Sequence, residues 1–396
     1  MFAVLSAARK SISRFALGLS VFALAACDPS AFTLPGAGGS GQKIDTSKPV
    51  PVALLVPGGS ERDGDNLLAK SLENAARLAM ADLGDVKIDL RVYNTAGQAG
   101  QAASMATQAV ADGAKIILGP VFASAANAAG VAVAPKNVNV LAFSNNASIA
   151  GGNVFVLGPT FDNTADRLVS YAVRHGKRNI AIVHGQGTAE EIGSQAIRGA
   201  IQRNGATLAG VTGFELSQQA VVAAAPQIAS QTKANGAQAV FLTSGNDGAL
   251  PLLAQLLPEN GLTPASMQYI GLQRWDIPAT AVSLPGLQGG WFAIPDRALS
   301  ANFASRYEAA YGAAPLPISG LAYDGIAAIG ALAKTGDANA LTAAGLTRGS
   351  GFVGVNGIFR LRADGSNERG LAIATIQNNQ VVEIDPAPRR FGGAGF

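Results

Sequence analysis

Val52-Ala53-Leu54-Leu55-Val56, closed by Pro57-Gly58-Gly59-Ser60, is the segment on which the fold turns. Five apolar residues without alternation read as a strand covered on both faces, and the Pro-Gly-Gly run ends it. Outward from it, Leu68, Leu72, Ala75, Ala76, Ala79 and Leu83 form a helical stripe. Val86 to Val92 alternates strictly, which predicts a half-exposed strand at a sheet edge. A helix over 98–111, the strand Ile116-Ile117-Leu118, a small-residue helix from Ala123 to Val133 stopped by Pro135, and a strand over 138–143 follow. Repeated strand–helix units imply a parallel sheet with right-handed crossovers.

The pattern restarts after residue 160. Helices over 161–175 and 188–204, one running to Asn235, and one over 247–257 alternate with strands at 180–183, 207–214 and 239–242. Thr188-Ala189-Glu190-Glu191 has capping-box spacing at a helix start. Gln108 to Ala114 and Gln231 to Ala237 echo one another, each with a glycine (Gly113, Gly236) placed to end a helix in the left-handed conformation. Residues 299–348 read as helical, and short strands close the chain at 358–361, 371–376 and 381–384. Two such blocks make two lobes with a cleft between them.

Toward the N-terminus, Arg9, Lys10 and Arg14 precede an apolar run from Phe15 to Ala26 that ends in Leu24-Ala25-Ala26-Cys27. The run suits the apolar core of a signal peptide and is too short for a stable membrane helix. The four-residue box is similar to that of lipoproteins, so residues 1–26 are expected to be removed and Cys27 lipidated. Residues 27–50, rich in Pro and Gly, read as a flexible tether, and 385–396 as a flexible tail. Gly36 to Gly41 spells G-x-G-x-x-G, but it follows Pro35 rather than a strand and opens no helix, so it reads as no nucleotide site.

The chain carries 29 basic and 26 acidic residues, and the three basic residues of the signal account for its excess. The remainder is balanced, which argues against nucleic acid as a partner. Cys27 is the only cysteine and His175 and His184 the only histidines. No metal site and no cofactor is expected. His184, Ser244 and Asp247 lack any G-x-S-x-G or H-E-x-x-H context, so no enzyme is expected. Ligands of open α/β sheets sit beyond the carboxyl ends of strands. That rule selects Ser60, Phe122, Ser144, Asn145, His184, Ser244, Asn246, Arg274, Trp275 and Asp276 as candidates for the cleft.

Four motifs, in order, carry a family likeness: Val52 to Gly59, Ile116 to Pro120, Leu321-Ala322-Tyr323-Asp324-Gly325, and Gly351 to Gly357. Together they resemble the type I periplasmic binding proteins of the leucine-binding kind across 51–384. The resemblance implies an α/β fold of two doubly wound parallel-sheet lobes with three crossovers. The first lobe is expected over about 51–157 plus 291–334, and the second over about 158–290 plus 335–384. Phe155-Val156-Leu157-Gly158-Pro159 and Gly289 to Pro295 are more similar to the penicillin-binding-protein activators, periplasmic lipoproteins that stimulate peptidoglycan synthases. That branch implies a class A penicillin-binding protein as partner, with Trp291 and Phe292 as surface anchors. The other branch is the receptors of ABC importers, which bind an amino acid or similar solute. A zwitterion needs an opposing cation and carboxylate, and Arg274 and Asp276, flanking Trp275, are the closely spaced pair near a strand end. Either branch is held to a bacterial membrane by lipid on the periplasmic side. Asp28 is a residue that favours inner-membrane retention in enteric bacteria, but activators work from the outer membrane, which is favoured here.

Overall fold

The structure is a computed structural model and describes residues 41–392. The signal segment, Cys27 and residues 28–40 lie outside the described residues. Strand β1 (Val50–Val56) is buried along nearly its whole length. It pairs in parallel with β2 (Ile88–Asn94) on one side and β3 (Ile116–Leu118) on the other. The first sheet has the order β2-β1-β3-β4-β5, with β4 at Asn139–Ala142 and β5 at Val154–Val156. The continuous apolar run is therefore internal and the alternating one is at the edge, as their patterns require. Helices α1 (Asp63–Ala81), α2 (Ala99–Ala111) and α3 (Ala123–Val133) connect these strands.

The chain crosses into the second lobe after β5. There α4 (Phe161–Arg174), β6 (Asn179–Gly185), α5 (Thr188–Arg203), β7 (Thr207–Phe214), α6 (Gln218–Ala234), β8 (Ala239–Leu242), α7 (Leu250–Glu259) and β9 (Gln268–Gly271) build a second layered unit. Gly113 and Gly236 both take positive φ after their helices, at 99° and 63°, so each ends a helix as the sequence echo requires. β10 (Trp291–Ile294) joins the same sheet beside β9. The chain then returns to the first lobe through α8 (Arg297–Tyr311), α9 (Gly320–Ala333) and the short α10 (Ala343–Leu346). A small antiparallel sheet, β11 (Phe352–Gly354), β12 (Gly357–Leu361) and β13 (Asn367–Arg369), leads back to the second lobe. β14 (Ala372–Gln377) and β15 (Gln380–Asp385) complete a seven-stranded sheet of order β15-β14-β10-β9-β8-β6-β7. β14 runs antiparallel to β10 and β15 antiparallel to β14, so of the two large sheets only the first is wholly parallel.

The lobe boundaries differ from the sequence expectation at two places. Residues 291–294 belong to the second sheet, because β10 is hydrogen-bonded to β9 and β14, and the return to the first lobe comes after that strand. Residues 340–361 stay with the first lobe: Leu341, Leu346, Phe352, Phe359 and Leu361 share one core with Leu54, Leu72 and Ile329. The tether and tail are shorter than expected. Ile44 is buried in that same core and its N–H donates to Ala338 O at 2.9 Å, so the chain is attached from there on. At the other end Ala387 packs in the second lobe's core and Arg389 meets Asp296 at 3.2 Å. In both places an apolar side chain finds a core that a composition-based reading does not anticipate.

The three connections are sewn together beneath the cleft. Asn367 Nδ2 donates to Val156 O and Gly158 O at 2.7 and 2.8 Å. Arg369 Nε donates to Leu157 O at 2.8 Å, and its Nη1 meets the buried Asp324 of α9 at 3.2 Å. Asp324 also accepts Val355 N–H at 2.7 Å, and Asp296 N–H donates to Asn356 O at 3.2 Å. Burial pushes the Asp324 carboxyl up and the Arg369 guanidinium down, and their mutual attraction opposes both shifts. One buried ion pair thus bonds directly to two of the connections and reaches the third through Asn356.

Candidate functional site

A cleft of about 850 Å³ lies between the lobes. One wall comes from the first lobe: the start of α3 with Val121, Phe122 and Ala123, and the loop after β4 from Phe143 to Ala147. Pro317, Ile318 and Leu321 extend it. The second wall comes from the starts of α4 and α5, the loop after β9, and the end of β10. Asn356, Arg369 and Leu371, from the sewn connections, complete the lining. Most of the lining is apolar, with a few polar groups, which is the usual make-up of a site for a small organic molecule.

The first wall is shaped by backbone and amides. Ser144 Oγ accepts Asn146 N–H at 3.1 Å, and Asn146 Oδ1 accepts Ser148 N–H at 2.9 Å. Gly158 packs so closely that a Cβ there would lie 2.4 Å from Ser144 O, so only glycine allows the crossover to pass behind this loop.

The second wall is held by side chains set behind it. Glu190, in the first turn of α5, accepts Gly185 N–H, Thr243 Oγ1 at 2.8 Å and Ser244 Oγ at 2.8 Å. It ties the ends of β6 and β8 to the helix whose first turn presents Thr188, Ala189 and Ile192 to the cleft. Asn246 Nδ2 sits within 3.0–3.3 Å of the carbonyls of Trp275, Ile277 and Pro278. Asp276 takes Arg274 in a two-point pair, Nε at 2.9 Å and Nη2 at 2.5 Å. These contacts fix the loop that carries Arg274 and Ile277.

Of the residues chosen by the strand-end rule, Phe122, Ser144, Asn145 and Arg274 line the cleft. The others do not. Ser60 accepts Arg62 N–H in the turn before α1. His184 Nδ1 lies 3.0 Å from Gly185 O. Ser244 is 0 % exposed and faces Glu190. Asn246 and Asp276 stand behind the loop that they hold. Trp275 is 0 % exposed and packs on Phe292 with ring centroids 5.6 Å apart, so it is core and not wall. The proposed partner surface fares similarly. Phe292 is 0 % exposed, and half-buried Trp291 packs edge-on against Tyr171 at 4.8 Å. A strand between two others buries its aromatic side chains, and β10 is such a strand. The loop pair Arg274–Asp276 is present, but its two charges answer each other rather than standing apart across a ligand.

Glu190 and Arg369 were not among the sequence candidates. The signal for Glu190 lay in the capping-box spacing, shifted by one residue: the N-cap is Gly187, without a side-chain cap, and Glu190 rather than Glu191 reaches back to the strand end. Among the described residues no group of three His, Cys, Asp or Glu could hold a metal ion, and no helix is long and apolar enough to cross a membrane.

Residues 49–380 match the sequence profile of the periplasmic binding proteins. A comparison with curated protein sequences finds no match. Among solved structures, one from Rhodospirillum rubrum described as a branched-chain amino acid ABC transporter is similar, with a TM-score of 0.71 and 17 % identity, covering 85 % of this chain and 100 % of that one. An ABC transporter substrate-binding protein from Desulfitobacterium hafniense in complex with Leu gives 0.63 and 16 %, with 85 % and 100 % covered. A solute binding protein of an ABC transporter from Rhodopseudomonas palustris BisB5, in complex with 3,4-dihydroxy benzoic acid, gives 0.57 and 17 %, with 86 % and 98 % covered. At such identities the likeness is one of fold.

Proposed function

Because the chain belongs to the periplasmic binding protein family, we propose that it is a periplasmic receptor for a small organic solute, of the kind that serves ABC importers. The observation that carries this reading is the 850 Å³ cleft, lined from both lobes and floored by the residues that join them. A ligand seated there touches both lobes and the connections between them, so binding energy can favour one inter-lobe geometry over another. The neighbours in complex with Leu and with 3,4-dihydroxy benzoic acid support a ligand of that size. The proposed activity is binding of the solute without chemistry.

Activation of a class A penicillin-binding protein loses the anchors that motivated it, since Phe292 is core and Trp291 is half covered by Tyr171. Anchoring through a lipidated Cys27 remains part of the proposal and is tested by fractionation of Cys27→Ala, which should leave the membrane pellet. The receptor reading is tested by calorimetry of the protein against amino acids, aliphatic acids and aromatic acids, beside capture of detergent-solubilised class A penicillin-binding proteins. Micromolar binding of one small solute supports the receptor. Capture of a synthase with no solute bound overturns it.

A further inference from the structure

The charges around the cleft are sorted by depth. Among the described residues, the charged side chains that line it are Asp162, Arg274 and Arg369. The carboxylates that neutralise the two arginines, Asp276 and Asp324, are behind them and do not line the space. Asp276 occupies Nε and Nη2 of Arg274, so Nη1 is left for the cleft, and the side chain is 36 % exposed. Arg369 is only 4 % exposed, lies over the Phe359 ring at 4.9 Å, and keeps a buried Nη2 without a partner. Both guanidinium groups are oriented in advance by carboxylate partners, Asp324 fully buried and Asp276 half-buried, which lowers the cost of engaging an acceptor.

Carboxylates free to take an ammonium are scarce on the same surface. Glu190 is occupied by Gly185, Thr243 and Ser244, and Asp276 by Arg274. Asp162 is about half exposed and 3.7 Å from Arg203, so its charge is met by solvent and by another cation. An ammonium taken out of water needs a dedicated acceptor, or its desolvation is uncompensated. Beside the uncharged polar groups Thr160, Thr164, Thr188 and Gln273, the second wall presents apolar bulk: Ile192 and Ile277 are 41 % and 43 % exposed, facing a space that Phe122 and Leu321 line from the other side.

We infer that the solute is a small carboxylic acid with a branched or aromatic apolar body and no ammonium group, its carboxylate read by Arg274. This rests on the receptor reading and narrows it to a chemical class. Calorimetry with the full chain tests it with five probes: 4-methylpentanoate and benzoate, their amides, and L-leucine. One of the acids is expected to bind at least about tenfold more tightly than its amide and than L-leucine. Arg274→Gln should weaken that acid by about 10–100-fold and change its amide less than about threefold. Since that variant strands Asp276, Arg274→Gln/Asp276→Asn repeats the measurement with the local charge restored, and the same loss is expected. L-leucine binding more tightly than both acids overturns the inference and leaves the receptor reading standing. So does acid binding that both variants leave unchanged. Silence from all five probes overturns the inference, and the broader solute panel then decides the receptor reading by itself.

Discussion

The two walls of the cleft solve the same problem by different means. The first is built of short-range contacts: a serine and an asparagine bonded to backbone two residues away, and a glycine that lets the crossover pass close behind. The second is held from behind by long side chains, Glu190, Asn246 and Asp276, each gathering groups distant in sequence. A wall of the first kind has its shape written locally. A wall of the second kind depends on single residues, and it can present a cation to the cleft while hiding the anion that orients it.

If that contrast is right, the largest effect should come where the walls meet. Asp324→Ala leaves Arg369 as an uncompensated buried charge and should cost about 3–5 kcal/mol in denaturant unfolding. Hydrogen exchange should then speed up in both lobes, because the pair joins two of the connections directly and the third through Asn356. Glu190→Ala strands Gly185 N–H and the Thr243 and Ser244 hydroxyls, and should cost about 2–4 kcal/mol. Here the faster exchange should stay within the second lobe, and spread into the first would break the comparison. Asn246→Ala frees the loop around Ile277 and should cost about 1–2 kcal/mol by thermal unfolding. Ser144→Ala, its counterpart on the first wall, should cost no more than about 1 kcal/mol. Equal losses at the two positions would show that both walls are held alike.

The first lobe does own a carboxylate bracket, but on its outer face. Asp82, at the end of α1, accepts from Arg306 of α8 at 2.6 Å and from the Tyr323 hydroxyl of α9. Burial works to raise the Asp82 pKa, yet the hydrogen bonds from Arg306 and Tyr323 outweigh it and hold the carboxyl below its usual range. Burial, with that same hydrogen bond, pushes the Tyr323 phenol up to about 12. A carboxylate depressed on folding stabilises above its unfolded pKa of about 3.9, and that contribution is lost as pH falls through the lower folded value. Arg306→Ala should therefore cost less than about 1 kcal/mol near neutrality, since both partners are about a third exposed, and should flatten the acid side of the stability curve.

How far the sequence could be read follows from the same contrast. The continuous run of β1 and the alternation of β2 state how many faces each strand buries, so their places were legible. Phe122, Ser144, Asn145 and Arg274 were found because they follow strand ends directly. The strand-end rule does not say which side of a loop faces the ligand. Asn246 and Asp276 follow strands equally well but point backward, and Ser244 turns toward Glu190. Trp275 and Phe292 were misread because an aromatic residue near a site is as easily core as lining, and only the neighbouring strands decide. Arg369 carried no local signal. Its partners, Leu157 and Asp324, are 212 and 45 residues away, and such pairings exist only in the folded chain.

The place of β14 in the second sheet sets an order of assembly. It lies between β10 and β15, so the edge of β10 has no neighbour until residues 372–377 have been made. The ion pair beneath the cleft likewise waits for residue 369, after every strand of the first sheet and five of the seven in the second have been made. A nascent chain stopped before that point carries every strand of the first sheet, an unfinished second sheet and no lock between them. Ribosome-bound chains of increasing length should stay open to protease until the final two strands emerge, and then become resistant in a single late step.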